Sequence, residues 1–384
     1  MSATSPLRGT GAPTAPLPER RRVERLLQSA GIRVGGAAPW DMQVHDARFY
    51  RRVLAEGSLG LGESYMDGWW DAKSLEGCME HILRARLDER VRSPHDLLLW
   101  LRARLPGLYP RGAPRVARVH YDLGNELFAA MLGGRMIYSC GYWAHATSLE
   151  QAQVDKLELV ARKLALEPGM EVLDIGCGWG EALRHMALRH GVTITGITVS
   201  KEQADYAHRL CQGLPVTVKL RDYRDLDGRF DRIFSIGMYE HVGARDHRTY
   251  FETVRRCLKD DGLTLLHTIG ANVSTRHTDP WIERYIFPDS VLPSAAQITR
   301  AYEGLFVLED WHGFGPDYAR TLQAWRRNIE AAWASLPARY DERFRRMWRY
   351  YLAASTALFR TRRAQVWQVL LSPHGVPGGC PPVR

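Results

Sequence analysis

Apolar positions in this chain recur with two different periods, and the change from one to the other divides it. From residue 171 onward, short apolar runs bounded by glycine or proline alternate with amphipathic stretches of helical spacing. Residues 172–175, 192–199, 216–220, 230–236, 263–269, 306–311 and 365–371 have the length and apolar character of buried strands. Between the first two of these lies 181–190, with helical spacing, and 149–166 ahead of them is a long amphipathic helix. The alternation predicts an α/β fold with about seven strands in a twisted, largely parallel sheet. The long stretches 270–293 and 313–363 read as insertions that wall a substrate site. Before residue 118 the period is helical: Val23, Leu26 and Leu27 follow Arg21 and Gly31 ends their helix, and 47–57 is a second amphipathic segment stopped by Gly57. A smaller, mainly helical N-terminal domain is therefore expected over 21–108, with lipid or membrane docking as its expected role. Residues 1–20, rich in Ser, Thr, Pro, Gly and Ala, read as a disordered tail. Pro106, Pro110 and Pro114 mark a linker at 109–117, which leaves 118–384 as the larger domain.

Composition narrows the class. The chain has 384 residues, 45% of them hydrophobic and 25% charged, which is ordinary for a soluble globular protein of two domains. No run approaches the roughly 20 apolar residues of a membrane span, and no apolar segment follows the basic N-terminus as a secretory signal would require. The six cysteines are dispersed without a CxxC pair, as expected of reduced thiols in a cytosolic protein rather than a disulfide frame or a zinc site. A formal net charge of +9 implies attraction to something anionic, nucleic acid or a lipid surface, unless it reflects an Arg-rich composition alone. Nine arginines from Arg84 to Arg118 interleave with Leu97-Leu-Leu-Trp-Leu101. An apolar stripe under a basic face suits an anionic membrane surface, and a solvated face over a buried stripe fits equally. Adjacent Trp69 and Trp70 suit the core better than a membrane-interface belt.

The candidate chemistry centres on Glu171-Val-Leu-Asp-Ile-Gly-Cys-Gly-Trp-Gly180. A strand running into Gly176, Gly178 and Gly180 and then into a helix lets a ligand approach the backbone beside the positive helix end. Asp174 near the strand end can order the loop or meet a cation. A dinucleotide fingerprint would need G-x-G-x-x-G and an acid ending the second strand. Here the spacing is G-x-G-x-G, and the second strand ends in Thr198 and Val199 with no carboxylate. The pattern resembles the first motif of S-adenosylmethionine (SAM) methyltransferases, and SAM is favoured over NAD.

Further motifs extend the resemblance. His120-Tyr-Asp-Leu-Gly-Asn, Tyr138-Ser-Cys-Gly-Tyr-Trp143, Tyr239-Glu-His241, Leu266-His-Thr-Ile-Gly270, Gly62-Glu-Ser-Tyr-Met-Asp-Gly-Trp-Trp70 and Asp279-Pro-Trp281 stand in the order found in bacterial cyclopropane fatty acid synthases. The chain is similar to that family from about residue 40 to 372. The resemblance implies a class I SAM-methyltransferase (Rossmann-like) sheet with a helical cap. It implies an enzyme of the inner membrane face that transfers a methylene from SAM to the cis double bond of unsaturated phospholipid acyl chains, through a carbocation deprotonated by bound bicarbonate. It also implies SAM contacts at Tyr138, Ser139, Gly176, Gly178, Thr198, Val199, Gln203, Asp222 and Tyr223, with Asp174 beside them. The bicarbonate site would comprise Glu240, His267 and Tyr318, with backbone groups of Cys140 and Ile269. A homodimer is consistent with the family. One departure is Ser355, where relatives often carry cysteine, so no thiol role is expected there.

Three other readings remain to be weighed. A relative that stops after methyl transfer would give branched or oxygenated chains, and keeping Glu240 with His267 favours ring closure. A catalytically silent scaffold is disfavoured by the intact glycines and the Glu240 and His267 pair. A nucleic-acid methyltransferase is disfavoured because Met238-Tyr-Glu-His241 stands where an Asn/Asp-Pro-Pro-aromatic motif would be.

Overall fold

The computed structural model describes residues 18–91, 123–275 and 277–384. The expected tail as far as residue 17, the linker at 109–117 and the arginine-rich stretch beyond Arg90 lie outside the described residues. In chain order the strands are β1 (Gln43–Val44), β2 (Trp70–Asp71), β3 (Glu171–Ile175), β4 (Thr193–Thr198), β5 (Val216–Leu220), β6 (Phe230–Ile236), β7 (Leu258–Ala271), β8 (Val307–Gly313) and β9 (Ala364–Ser372). β1 and β2 form a two-residue antiparallel ribbon, and the rest make one seven-stranded sheet in the order β5-β4-β3-β6-β7-β9-β8. Strands β3 to β7 are parallel, and β9 runs antiparallel to both β7 and β8. All seven expected strands are present within a few residues of their expected ends. The largest difference is β7, which begins five residues earlier than its apolar run.

Local chemistry explains most boundaries. β3 is buried from Val172 to Ile175, as a central parallel strand covered on both faces must be. Helix Leu149–Lys163 opens on Ser148, whose hydroxyl accepts from the Gln151 amide at 3.2 Å, and it ends short of the expected residue 166 as Ala165 turns to a positive φ of 46°. Helix Glu181–His190 has its expected limits and is closed by Gly191 in the left-handed region. The first helix, Pro18–Ser29, starts three residues ahead of Arg21, because proline at a first helical position loses no hydrogen bond.

The sheet order reverses between β3 and β6. That switch point opens a crevice at the carboxyl ends of the strands, where open α/β sheets hold ligands. The expected insertions fold as helix Pro280–Tyr285 after β7, and helices Pro316–Ala332 and Glu342–Arg360 between β8 and β9. They share one apolar cluster with the N-terminal region, including Phe49, Trp70, Met79, Trp281, Trp325 and Tyr350. Trp281 Nε1 donates to Met66 Sδ at 3.4 Å. The Arg346 guanidinium lies 4.0 Å from the Tyr65 ring centre and donates to the Trp70 carbonyl at 2.9 Å and to Asp71 at 2.8 Å. Trp70 is fully buried, whereas Trp69 is half-buried beneath the guanidinium groups of Arg48 and Arg52. Among the described residues no helix is long and apolar enough to cross a membrane. All six cysteines are free thiols.

Candidate active site

A cleft with about 1100 Å³ of empty space lies at the switch point, lined by the β3 loop, the ends of β4, β5 and β6, and the Met136–Ser139 segment. All ten residues expected to contact the cofactor line it: Tyr138, Ser139, Asp174, Gly176, Gly178, Thr198, Val199, Gln203, Asp222 and Tyr223. Gly176 has φ +99°, and a Cβ there would stand 2.7 Å from Met238 Cβ, so the loop requires glycine on both counts. The neutral pair at the end of β4 is formed, Thr198 Oγ1 donating to Gln203 Oε1 at 2.9 Å. Asp222 is held by Arg224, which donates from Nε at 2.9 Å and from Nη2 at 2.8 Å. Those bonds hold the carboxyl below its usual range against the opposing effect of burial. The Tyr138 and Tyr351 hydroxyls are hydrogen-bonded at 2.8 Å, joining the expected cap to the late helix.

Beside this cleft, the turn after β6 and the carboxyl half of β7 carry the second group of expected residues. Glu240 is buried; its Oε1 accepts from the Ile269 amide at 2.7 Å, and its Oε2 has no partner. Burial raises its carboxyl from 4.5 to about 7, with the Ile269 hydrogen bond opposing. His267 pairs in register with Ile236, and its Nδ1 lies 3.3 Å from Gln368 Nε2 on β9. Burial, reinforced by the nearby Lys156 and Lys163, pushes its imidazole well below its usual value, so it is neutral. Glu240 and His267 share no hydrogen bond with each other. Cys140 is fully buried, its thiol donates to the Gly141 carbonyl at 3.2 Å, and burial raises it well above the usual thiol range. It is inert, in keeping with a backbone role. Tyr318 is buried on helix Pro316–Ala332, its ring 4.6 Å from Phe359 and 5.8 Å from Trp325.

Several residues at the site were not anticipated. His241 lines the cleft and burial lowers its imidazole to about 4, with Nδ1 unpartnered. Gln368 carries the neighbour of His267 and leaves its own Oε1 unpartnered. Lys156, on helix Leu149–Lys163, is buried in the wall of the cleft. A lysine and a glutamine on the buried stripe of that helix, Gln153 and Lys156, are the readable signal that was passed over.

A second cavity, about 1150 Å³ and mainly apolar, lies between the N-terminal helices and the late helix, against Phe49, Leu61, Trp281, Tyr350 and Ser355, with Asp88 and Asp279 also in its wall. The position where relatives often carry cysteine thus faces this cavity.

A seven-stranded sheet in this order, with a glycine loop at its switch point and a cleft of nucleoside size, defines a class I SAM-dependent methyltransferase. A family model described as mycolic acid cyclopropane synthetase matches residues 111–369, and the chain belongs to that family. Cyclopropane-fatty-acyl-phospholipid synthase of Escherichia coli (strain K12) is 50% identical over 363 residues, 94% of each chain. Tuberculostearic acid methyltransferase UfaA1 of Mycobacterium tuberculosis is 36% identical over 388 residues, covering 92% of this chain and 88% of the other. Among solved structures, the cyclopropane synthase MmaA2 from Mycobacterium tuberculosis aligns at TM-score 0.64 and 30% identity, over 69% of this chain and 99% of its own. The mycolic acid cyclopropane synthase CmaA1, complexed with SAH and CTAB, gives 0.63 and 30% over 68% and 99%.

Proposed function

We propose that the protein is a cyclopropane synthase acting on unsaturated acyl chains of membrane phospholipids. The observation that carries this reading is Glu240: a buried carboxyl with one oxygen held by the Ile269 amide and the other unpartnered, one residue from the cleft-lining His241. SAM, when bound in the cleft, supplies an electrophilic methyl group. An isolated alkene is a poor nucleophile, so it must be held in line with that methyl and kept dry. The apolar cavity against Trp281 and Tyr350 supports acyl-chain binding. Tyr138, which lines the cofactor cleft, packs against Phe287 and Trp325, and Phe314 lies against His267; these aromatic faces suit a cation on the chain.

Ring closure then needs a base. Below about pH 7, the raised Glu240 carboxyl and the neutral His267 leave little fixed negative charge, which fits a small anion. Glu240, His267 and Tyr318, with the backbone at Cys140, would hold bicarbonate, and Ile269 would orient Glu240. Bicarbonate, when bound, supplies the base for the last proton.

Expression in a host lacking cyclopropanes, followed by mass spectrometry of lipid fatty acids, tests the reading. The expected product gains one CH2 and has no residual double bond. Branched or oxygenated chains without a ring would overturn it. Docking on an anionic bilayer is part of the proposal, supported by the net charge of +9. Of the expected cluster, Arg84 pairs with Glu80 and Arg86 with Glu89, whereas Arg90 donates to the Ser29 hydroxyl at 3.4 Å and keeps its charge uncompensated by an ion pair among the described residues. Binding to anionic vesicles is expected to weaken as salt rises, and salt-independent binding would remove the electrostatic component.

A further inference from the structure

Lys156 is 1% exposed, and its ammonium donates to the Ser139 hydroxyl at 3.0 Å. Three residues earlier on the same helix face, Gln153 Nε2 donates to the Ser139 carbonyl at 2.9 Å. The helix therefore grips the cap segment by both groups of one residue. Asp174, 2% exposed on β3, has Oδ1 buried with no partner, and it lines the same cleft as Ser139 and Lys156. Burial raises the Asp174 carboxyl to about 8 and lowers the Lys156 ammonium to about 8, the attraction between them opposing both shifts. The pair by itself therefore shares its charge near neutral pH and is fully ionised only when countercharges meet it.

A buried charge is costly unless something matches it, and an apolar side chain of similar volume would fill this helix position at least as well. What the pair matches is a zwitterion. The amino-acid end of SAM carries one ammonium and one carboxylate, and the cleft wall offers one carboxylate and one ammonium. We propose that Lys156 is a positioning residue for the amino-acid end of SAM: with Ser139 it meets the carboxylate, while the unpartnered Asp174 oxygen takes the ammonium. The inference rests on the SAM reading above and adds a residue to it. Lys156 touches no reacting atom. Its effect belongs in affinity rather than in the chemical step.

The test is titration calorimetry with three probes: SAM, S-adenosylhomocysteine and methylthioadenosine, which keeps the adenosine but lacks the amino acid. Lys156→Met is expected to weaken SAM and S-adenosylhomocysteine by about tenfold or more, the size of a charge-assisted contact, and to leave methylthioadenosine within about twofold. In turnover the KM for SAM should rise while kcat holds. Equal loss for all three probes would make Lys156 a packing residue and overturn the proposal, as would no loss for any. Ser139→Ala keeps the ammonium but removes its hydroxyl partner and should give the same selective pattern, so the proposal stays testable if Lys156→Met fails to fold. A parent protein that bound methylthioadenosine but not SAM would overturn the zwitterion match. One that bound none of the three would overturn the SAM reading itself.

Discussion

Glu240→Gln is expected to cut ring formation by about 100-fold or more while leaving SAM affinity within about twofold, because general-base steps contribute at that level and Glu240 does not line the cofactor cleft. Glutamine keeps the volume and can still accept from the Ile269 amide, but its NH2 cannot share a proton with an adjacent anion. The same substitution has a stability consequence of opposite sign. The folded carboxyl titrates near 7 against 4.5 for an ordinary glutamate, raised by burial. A raised folded value means that stability is fully present below the unfolded value and is lost as pH climbs toward the folded one. Above about pH 7, a buried charge is being carried in the folded protein. Glutamine removes that burden, so its gain in Tm should be larger at pH 8 than at pH 6, by on the order of 1 kcal/mol of stability. Anion affinity at fixed bicarbonate should fall over the same range as Glu240 ionises. Parental rates of ring formation in the variant would show that Glu240 does not hold the base.

Much of the fold was legible because its signals are local. β3 reads as an unbroken apolar run since both its faces are covered, and Gly176 announces a loop because its φ and its distance to Met238 exclude a side chain. Glu181–His190 showed its limits through Gly180 and Gly191. What stayed hidden depends on partners far away in sequence. The place of Lys156 on the buried stripe could be read from its spacing, but its role could not until Ser139 and Asp174 are brought to it. Gln368 acquires meaning only because β9 inserts between β7 and β8, opposite His267. The placement of Ser355 on an apolar cavity, away from the residues lining the cofactor cleft, likewise follows from helix packing that no spacing encodes. The pairing of Arg84 with Glu80 and of Arg86 with Glu89, by contrast, was legible, since the acids stand one helical turn away.

Deleting residues 1–91 is expected to yield an insoluble chain, or one whose Tm falls by about 10 °C or more, rather than a working enzyme that has merely lost its hold on vesicles. The reason is the shared core. Trp281 and Tyr350 belong to the larger domain and their rings meet tilted with centres 4.6 Å apart, yet they are buried together with Phe49, Tyr65 and Trp70 from the N-terminal region. Stripping that cover exposes several large side chains worth about 1.5–3 kcal/mol each, a loss comparable to the whole net stability of a folded domain. Arg346 would lose the Trp70 carbonyl, Asp71 and the Tyr65 face at one stroke. A single substitution probes the same contact more gently. A Cβ at Gly62 would lie 2.4 Å from Trp281 Cδ1, so Gly62→Ala should destabilise by about 1–3 kcal/mol through overpacking. Thermal melts followed by circular dichroism read both variants. A truncated chain that stays soluble, melts with the parent and still binds SAM would mean that the two regions are joined by contact without depending on it, and the N-terminal helices would then be a detachable docking module.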